Sequence, residues 1–238
     1  MSPLAERLAK LRLRIATAAA RRGRSASDVK LLAVAKTHPA ETVLAAVGLG
    51  LRAFAENRVQ EAERKIPAVQ ERSSEKLEWH LIGPLQSNKV RRAAQLCDAI
   101  QSVDRAGLVD LLERAAAGAS RRPQIYLQVN LDAEPQKGGC APGEVVDLAR
   151  AVERSRHLEL VGLMAIPRVQ ATAEQMRPAF ARLRALLEHL NRARGGSLPL
   201  RELSMGMSDD FEVAIEEGAT CVRIGTALFG AREARENA

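Results

Sequence analysis

The chain of 238 residues is long enough for one large domain with a single core, and its 46% hydrophobic and 27% charged residues are typical of a soluble globular protein. The net charge of +7 would suit an anionic partner, but aromatic residues make up only 3% of the chain, which argues against a nucleic-acid binder that stacks bases. No apolar run approaches the ~20 residues of a membrane span, so we expect no membrane insertion.

Cysteine and histidine usage indicates a reducing compartment and no metal. The three cysteines, Cys97, Cys140 and Cys221, are an odd number without close pairing, which suits free thiols in the cytoplasm. The four histidines lack metal-ligand spacing. We therefore expect a cytoplasmic protein without a metal site.

Predicted helices and strands alternate along the chain. Leu4, Leu8, Leu11 and Ile15 recur at helical spacing and predict an amphipathic leading helix at about residues 2–22. Eight strands are predicted, at residues 31–36, 53–57, 77–83, 99–103, 124–131, 158–166, 202–207 and 221–225. The helices between them are predicted at residues 41–49, 58–70, 87–96, 106–117, 143–154, 174–194 and 209–217.

This alternation predicts one (β/α)8 TIM barrel, an α/β fold, over residues 1–238. Crossover helices require parallel strands, and eight such units are what a closed barrel needs. An open doubly wound sheet is the alternative, but no Gly-rich nucleotide motif follows the first strand. In barrels of this kind the chemistry lies at the C-terminal ends of the strands.

The first predicted strand ends in a lysine. Residues 31–36 read LLAVAK, and alternation puts Lys36 on the same face as Leu32 and Val34, which points to a core. Burying an unpaired ammonium group is costly, and this favours the neutral, nucleophilic amine that Schiff-base chemistry needs. A lysine that extends into solvent from the end of the strand is the alternative.

The segments after strands seven and eight suit a phosphate. Residues 204–210 (SMGMSDD) and 223–226 (RIGT) combine glycine, which permits close backbone approach, with hydroxyl donors. For Ser208 the alternative is an N-cap of the next helix. Alternation turns Arg223 and Gly225 inward, and for Arg223 the alternative is a pair with a carboxylate.

Strands one, seven and eight are neighbours in a closed barrel, so these groups meet at one mouth. An amine, a phosphate loop and an inward arginine are the parts of a pyridoxal 5′-phosphate (PLP) site. The sequence therefore predicts PLP as the cofactor.

The motifs and their order resemble the pyridoxal phosphate homeostasis proteins, also called YggS or PROSC proteins. The matching segments are AVAKT at 33–37, ENRVQE at 56–61, WHLIGPLQSNK at 79–89, GLMAIP at 162–167, LSMGMSDD at 203–210 and VRIGTALFG at 222–230. The family's barrel is similar to the N-terminal domain of alanine racemase.

The resemblance implies a role for each site residue. Lys36 would carry PLP as an imine, Arg223 would face the pyridine nitrogen and Asn57 would line the pocket. The candidates for holding the phosphate are Ser204, Ser208, Gly225 and Thr226.

The chain departs from the family pattern at a few positions. Ala55 stands where glycine is usual, Arg58 where tyrosine is common, and His38 where some members have a lysine. Lys137 lies in a loop where the family tends to keep a lysine, which suggests either a role in passing PLP on or a solvated loop residue.

The predicted site is better suited to a carrier than to an enzyme. A racemase needs acid and base groups on both faces of its substrate, and in alanine racemase the second-face tyrosine comes from a separate domain. We expect no such domain here, and the only tyrosine, Tyr126, begins the fifth strand. An arginine at the pyridine nitrogen also disfavours ring protonation, which weakens the cofactor as an electron sink.

We therefore expect a monomeric, non-catalytic protein of vitamin B6 homeostasis that buffers PLP or delivers it to apo-PLP enzymes. The alternative is a small fold-type III enzyme, such as an amino-acid racemase, with His80 or Cys140 as its acid. A nucleic-acid binder rests on net charge alone, and we expect no nucleic-acid partner.

Overall fold

The computed structural model describes residues 2–195 and 198–230. At its centre eight parallel strands form a closed barrel in chain order, and the last strand returns to pair with the first. The strands are β1 (Lys30–Val34), β2 (Ala53–Glu56), β3 (Glu78–Leu81), β4 (Ala99–Val103), β5 (Gln124–Gln128), β6 (Glu159–Met164), β7 (Glu202–Ser204) and β8 (Cys221–Ile224). The predicted TIM barrel is confirmed.

Helices surround the barrel. They are α1 (Pro3–Ala20), α2 (Ala40–Gly48), α3 (Val59–Gln70), α4 (Val90–Leu96), α5 (Ala106–Ala119), α6 (Val145–Glu153), α7 (Arg177–Arg194), α8 (Phe211–Glu216) and the single turn α9 (Thr226–Phe229). Across the described ranges every helix is too short or too polar to cross a bilayer.

Helix α1 packs against α8 and α9, near the last elements of the barrel. Ser2 caps it by accepting the Ala5 N–H at 3.3 Å, and its buried face carries Leu8, Leu11 and Ile15. Arg14 forms a bidentate pair with Glu212 of α8, at 2.7 and 2.8 Å. The leading helix therefore joins the two ends of the barrel sequence.

Two apolar layers position the mouth. Phe54 and Trp79 face outward into the layer between strands and helices, with ring centroids 5.4 Å apart. On the inner side of β1, β2 and β8 lies a small cluster made of Leu32, Val34, Ala53, Ala55, Ile82 and Cys221. Leu32 and Val34 thus face the barrel interior, as alternation predicts.

Five of the predicted strands, β1, β3, β5, β6 and β7, end two or three residues earlier than predicted, and two of these differences bear on the candidate site. Strand β1 stops at Val34, so Lys36 lies in the turn that follows rather than in the strand. Strand β7 stops at Ser204, three residues before its predicted end. Both differences lengthen the loops at the C-terminal face, where the candidate site residues lie.

Candidate functional site

Lys36 lies at the C-terminal end of the barrel and is half-buried. Beside it, β8 pairs with β1, and a Cβ at Gly225 would make an ordinary van der Waals contact with the carbonyl oxygen of Val34, at 3.6 Å. Within residues 2–195 and 198–230, the Lys36 amine has no hydrogen-bond or ion-pair partner. The amine is therefore available to a ligand at the β1–β8 edge of the mouth.

Helix α3 contacts the backbone on both sides of Lys36, in the turn after β1 (the Lys36 turn). Lys65 Nζ donates to the carbonyl oxygen of Ala35 at 2.7 Å, and Glu61 Oε2 accepts the N–H of Thr37 at 2.9 Å. Thr37 has a φ of 67°, a left-handed conformation that is strained for a β-branched residue. The two contacts from α3 stabilise this strained turn and so fix the backbone around Lys36.

Glu56 is part of the same support. Its Oε1 forms a buried ion pair with Lys65, while its buried Oε2 has no partner among the described residues. Burial raises the pKa of Glu56 to about 7, although the contact with Lys65 opposes this shift. Lys65 was not among the residues predicted from the sequence; the available signal was a lysine on the core face of α3, in line with Ala62 and Val69.

Asn57 follows β2 and faces the next strand end. A Cβ at Gly83 would lie 2.1 Å from the carbonyl oxygen of Asn57, so only glycine lets the ends of β2 and β3 approach this closely. The Asn57 Oδ1 atom is buried without a partner in the described part of the chain. Asn57 also lines a cavity of about 710 Å³ together with Arg58 and Lys89.

Arg223 is buried inside the barrel, as predicted, with 3% of its surface exposed. Its Nη1 donates to Ser204 Oγ and its Nη2 to the carbonyl oxygen of Ala165, both at 2.8 Å. No described carboxylate forms an ion pair with it, so the alternative of a carboxylate pair was wrong. Desolvation lowers the pKa of Arg223, and the charge of Asp210 opposes this.

Ser204 and Ser208 lie at different depths. The buried Ser204 hydroxyl donates to Gln101 Oε1 at 2.7 Å and supports Arg223. Ser208 Oγ accepts the N–H of Ala227 at 3.2 Å, so it ties the loop after β7 to the start of α9 and does not cap α8. The alternative of an N-cap at Ser208 was wrong because α8 begins later, after Asp210.

Three of the residues predicted to hold the phosphate, Ser208, Gly225 and Thr226, lie close together. Gly225 and Thr226 begin the turn α9, whose N–H at Ala227 contacts Ser208. The structure thus brings Ser208, Gly225 and Thr226 together after the ends of β7 and β8, and β8 is a neighbour of β1, the strand that precedes Lys36.

The residues considered for acid catalysis lie elsewhere. Tyr126 is fully buried, burial strongly raises its pKa, and its hydroxyl donates to Glu202 Oε2 at 3.3 Å at the opposite end of the barrel. Burial raises the pKa of Cys140 to about 12. The His80 ring lies inside the barrel and contacts Glu78 and Gln101.

Lys137, in the loop after β5, forms an ion pair with Glu134. Lys137 Nζ lies 2.5 Å from Glu134 Oε2, within a loop anchored by the bond from the Gly139 N–H to Asp104. This contact holds the amine at its own loop.

Comparison with known proteins gives matches over nearly the whole chain. The model of the alanine racemase N-terminal domain family matches residues 7–233. A pyridoxal phosphate homeostasis protein of Pseudomonas aeruginosa is 48% identical over 233 residues, which cover 98% of this chain and 97% of that protein. One from Escherichia coli is 41% identical over 240 residues, covering 98% of both.

Solved structures agree with this assignment. PipY of Synechococcus elongatus, with PLP bound, is 38% identical with a TM-score of 0.83, covering 95% of this chain and 100% of that chain. An alanine racemase of Clostridium difficile, at 13% identity and a TM-score of 0.65, shares the fold over 88% of this chain and 54% of that chain. On its fold, its motifs and these matches, the chain belongs to the pyridoxal phosphate homeostasis protein family, within the alanine racemase N-terminal domain fold.

Proposed function

We propose that this chain binds PLP through a Schiff base with Lys36 and acts in intracellular PLP homeostasis, buffering the cofactor or delivering it to apo-PLP enzymes. The observation that carries the proposal is the unpaired, half-buried Lys36 amine beside a hydroxyl- and glycine-rich loop pair on the adjacent strands. When bound, PLP supplies an aldehyde that condenses with an amine and releases water.

The residues at the mouth fit PLP group by group. Lys36 provides the amine, and Ser208, Gly225 and Thr226 provide the small, donor-rich surface that a phosphate needs. Arg223 spends two of the five N–H donors of a guanidinium on described protein oxygens, which leaves others for a ring nitrogen.

Asn57 and Ser204 complete this assignment in different ways. The buried, unpartnered Asn57 Oδ1 is the kind of polar atom that a ligand satisfies. The Ser204 hydroxyl is already donated to Gln101, so in this proposal Ser204 serves the site by holding Arg223.

A carrier role is supported by what surrounds the mouth. The three groups best placed by chemistry to act as an acid, namely Tyr126, His80 and Cys140, are all buried and bonded or packed away from Lys36. The matched relatives are named as homeostasis proteins rather than as enzymes. The three cysteines are buried free thiols, which fits a cytoplasmic protein.

Borohydride reduction followed by intact-mass measurement tests the proposal. We expect one pyridoxyl phosphate group per chain, located on Lys36 by peptide mapping, and none in Lys36→Ala. Lys76→Ala, which removes an exposed lysine at the other end of the barrel, is the matched control and should keep the adduct. An adduct spread over other lysines, or none at all, would contradict the proposal.

Solution measurements separate carrier from enzyme. Incubating the PLP-loaded protein with common amino acids in D₂O should give no α-proton exchange above the rate of free PLP. Exchange at enzyme-like rates would favour the racemase. Light scattering should give the mass of one chain, because we propose that the protein is a monomer.

A further inference from the structure

A continuous row of polar side chains crosses the interior of the barrel. From the mouth to the opposite end, this relay consists of Arg223, Ser204, Gln101, His80, Glu78 and Lys30. Its first four members are at most 3% exposed. Polar groups this deeply buried require partners, and here each one finds them in the next member.

The upper bonds are short. Arg223 Nη1 lies 2.8 Å from Ser204 Oγ, which lies 2.7 Å from Gln101 Oε1. Gln101 Nε2 lies 2.7 Å from His80 Nδ1.

The lower bonds end on one carboxylate. His80 Nε2 and Lys30 Nζ both contact Glu78 Oε1, at 2.7 and 2.6 Å. Burial alone would raise the pKa of Glu78, but these two bonds lower it to about 2, so the carboxylate accepts hydrogen bonds and donates none near neutral pH.

The carboxylate favours one direction for the bonds of His80 and Gln101 above it. Because Glu78 only accepts, a neutral His80 ring carries its proton on Nε2 and accepts at Nδ1. Gln101 therefore turns its amide nitrogen to His80 and its oxygen to Ser204. Ser204 then donates to Gln101 and accepts from Arg223, which as a guanidinium can only donate, so the directions required at the two ends of the relay agree.

We propose that Glu78 is a remote positioning residue for the cofactor site, acting on Arg223 through this relay. The inference rests on the proposed binding of PLP beside Arg223. Glu78 and Lys30 line a cavity of about 620 Å³ at the N-terminal end of the barrel, so solvent and ions reach the far end of the relay while the mouth stays separate.

Glu78→Gln tests the relay, with Glu159→Gln as its matched control. Glu159 lines the same cavity at the start of β6 and makes no side-chain bond to the relay. A glutamine at 78 can donate as well as accept, so it no longer dictates the tautomer of His80. We expect Glu78→Gln to weaken PLP binding roughly 5- to 10-fold, at the low end of couplings between distant sites, and to shift the visible absorption band of bound PLP. Glu159→Gln should match the wild type in both.

The tautomer can be measured without PLP. Long-range ¹H–¹⁵N spectra of the cofactor-free protein, with His80→Gln identifying the resonance, should show the His80 proton on Nε2 in the wild type and a changed tautomer ratio in Glu78→Gln. A proton on Nδ1 in the wild type overturns the relay. If the wild type binds no PLP the proposed function fails, while this measurement still decides the relay.

A second variant covers the case in which Glu78→Gln folds poorly. Ser204→Ala interrupts the relay just below Arg223 and should weaken PLP binding to a similar extent. The double variant, with both Glu78→Gln and Ser204→Ala, should then bind PLP no more weakly than whichever single variant has the lower PLP affinity. Both substitutions interrupt the same chain of hydrogen bonds. Fully additive losses, or equal PLP affinity and absorption in Glu78→Gln and Glu159→Gln, overturn the proposal.

Discussion

Two glutamates on neighbouring strands have pKa values that are shifted in opposite directions. Glu78 begins β3 at the N-terminal end of the barrel, and two bonds lower its pKa to about 2. Glu56 ends β2 at the C-terminal end, and burial raises its pKa to about 7 even though Lys65 contacts it. The same residue type is thus stabilised as an anion at one end of the barrel and destabilised at the other.

The N-terminal and C-terminal ends of the barrel also differ in whether their polar and charged groups have partners. At the N-terminal end, charges are paired, as in Arg121 with Asp98 at 2.6 Å and Arg52 with Glu75 at 2.8 Å. At the C-terminal end lie two buried oxygens without described partners, on Glu56 and Asn57, together with the strained Thr37. Unsatisfied and strained groups cost stability, and these three lie beside Lys36 or at the neighbouring end of β2.

Lys65→Met should give the largest effect. It removes the partner of the buried Glu56 and the donor to the Ala35 carbonyl, which leaves both uncompensated. We expect a loss of about 3–5 kcal/mol in the free energy of unfolding, the range for breaking a buried ion pair. Urea unfolding of the cofactor-free protein near pH 7.5 measures it.

Lys36→Met is the control for this prediction. The Lys36 amine has no described protein partner, so its removal should change the free energy of unfolding by no more than about 0.5 kcal/mol while abolishing the PLP adduct. Equal losses in the two variants would mean that α3 does not hold the Lys36 turn.

The sequence was sufficient for the barrel and for the end of the barrel at which Lys36 lies. Apolar runs of strand length alternate with amphipathic helices, and in a closed barrel the chain order alone decides which strand ends are neighbours. That is why Lys36, Ser208 and Gly225 could be assigned to one mouth before any coordinates. The end of β1 was misplaced by two residues because Ala35 and Lys36 continue the strand pattern.

The contacts that support the site could not be predicted. His80, Gln101 and Ser204 each look like a single polar residue in a strand, and their connection depends on side-chain directions across the barrel. Lys65 bonds to a backbone carbonyl, which no residue pattern encodes. For Arg223 a carboxylate partner was the alternative to a role at the cofactor ring, yet a hydroxyl and a carbonyl oxygen accept from it, both at 2.8 Å.

The dependence of stability on pH should reverse sign between the two glutamates. The pKa of Glu78 is lowered from 4.5 to about 2, so its contribution is present above about pH 4.5 and is lost as the pH falls towards 2. Its side chain is 33% exposed, and after allowance for solvent screening we expect about 1–2 kcal/mol. Glu78→Gln should therefore be less stable than the wild type at pH 7 and converge with it in acid.

Glu56 should act in the opposite direction. Its pKa is raised from 4.5 to about 7, so the folded state binds the extra proton and gains stability as the pH falls from 7 towards 4.5. Glu56→Gln should remove this gain, leaving a flatter profile over that interval. Urea unfolding at intervals between pH 8 and 3 checks both variants, and parallel profiles for the two would contradict the comparison.

The smallest expected effect concerns backbone strain at the two ends. Thr37 and Ser120 both have positive φ, of 67° and 50°, but Thr37 carries the Lys36 turn while Ser120 ends α5 on the side where the chain enters β5. Glycine removes the strain of about 1 kcal/mol and adds unfolded-state entropy of similar size, so Thr37→Gly and Ser120→Gly should each change the free energy of unfolding by no more than about 1 kcal/mol. Only Thr37→Gly should weaken PLP binding, by about two- to threefold, because a looser turn must be ordered again when the ligand binds. Fluorescence titration with PLP measures this, and an equal loss in Ser120→Gly would show that strain at the mouth has no special part in holding Lys36.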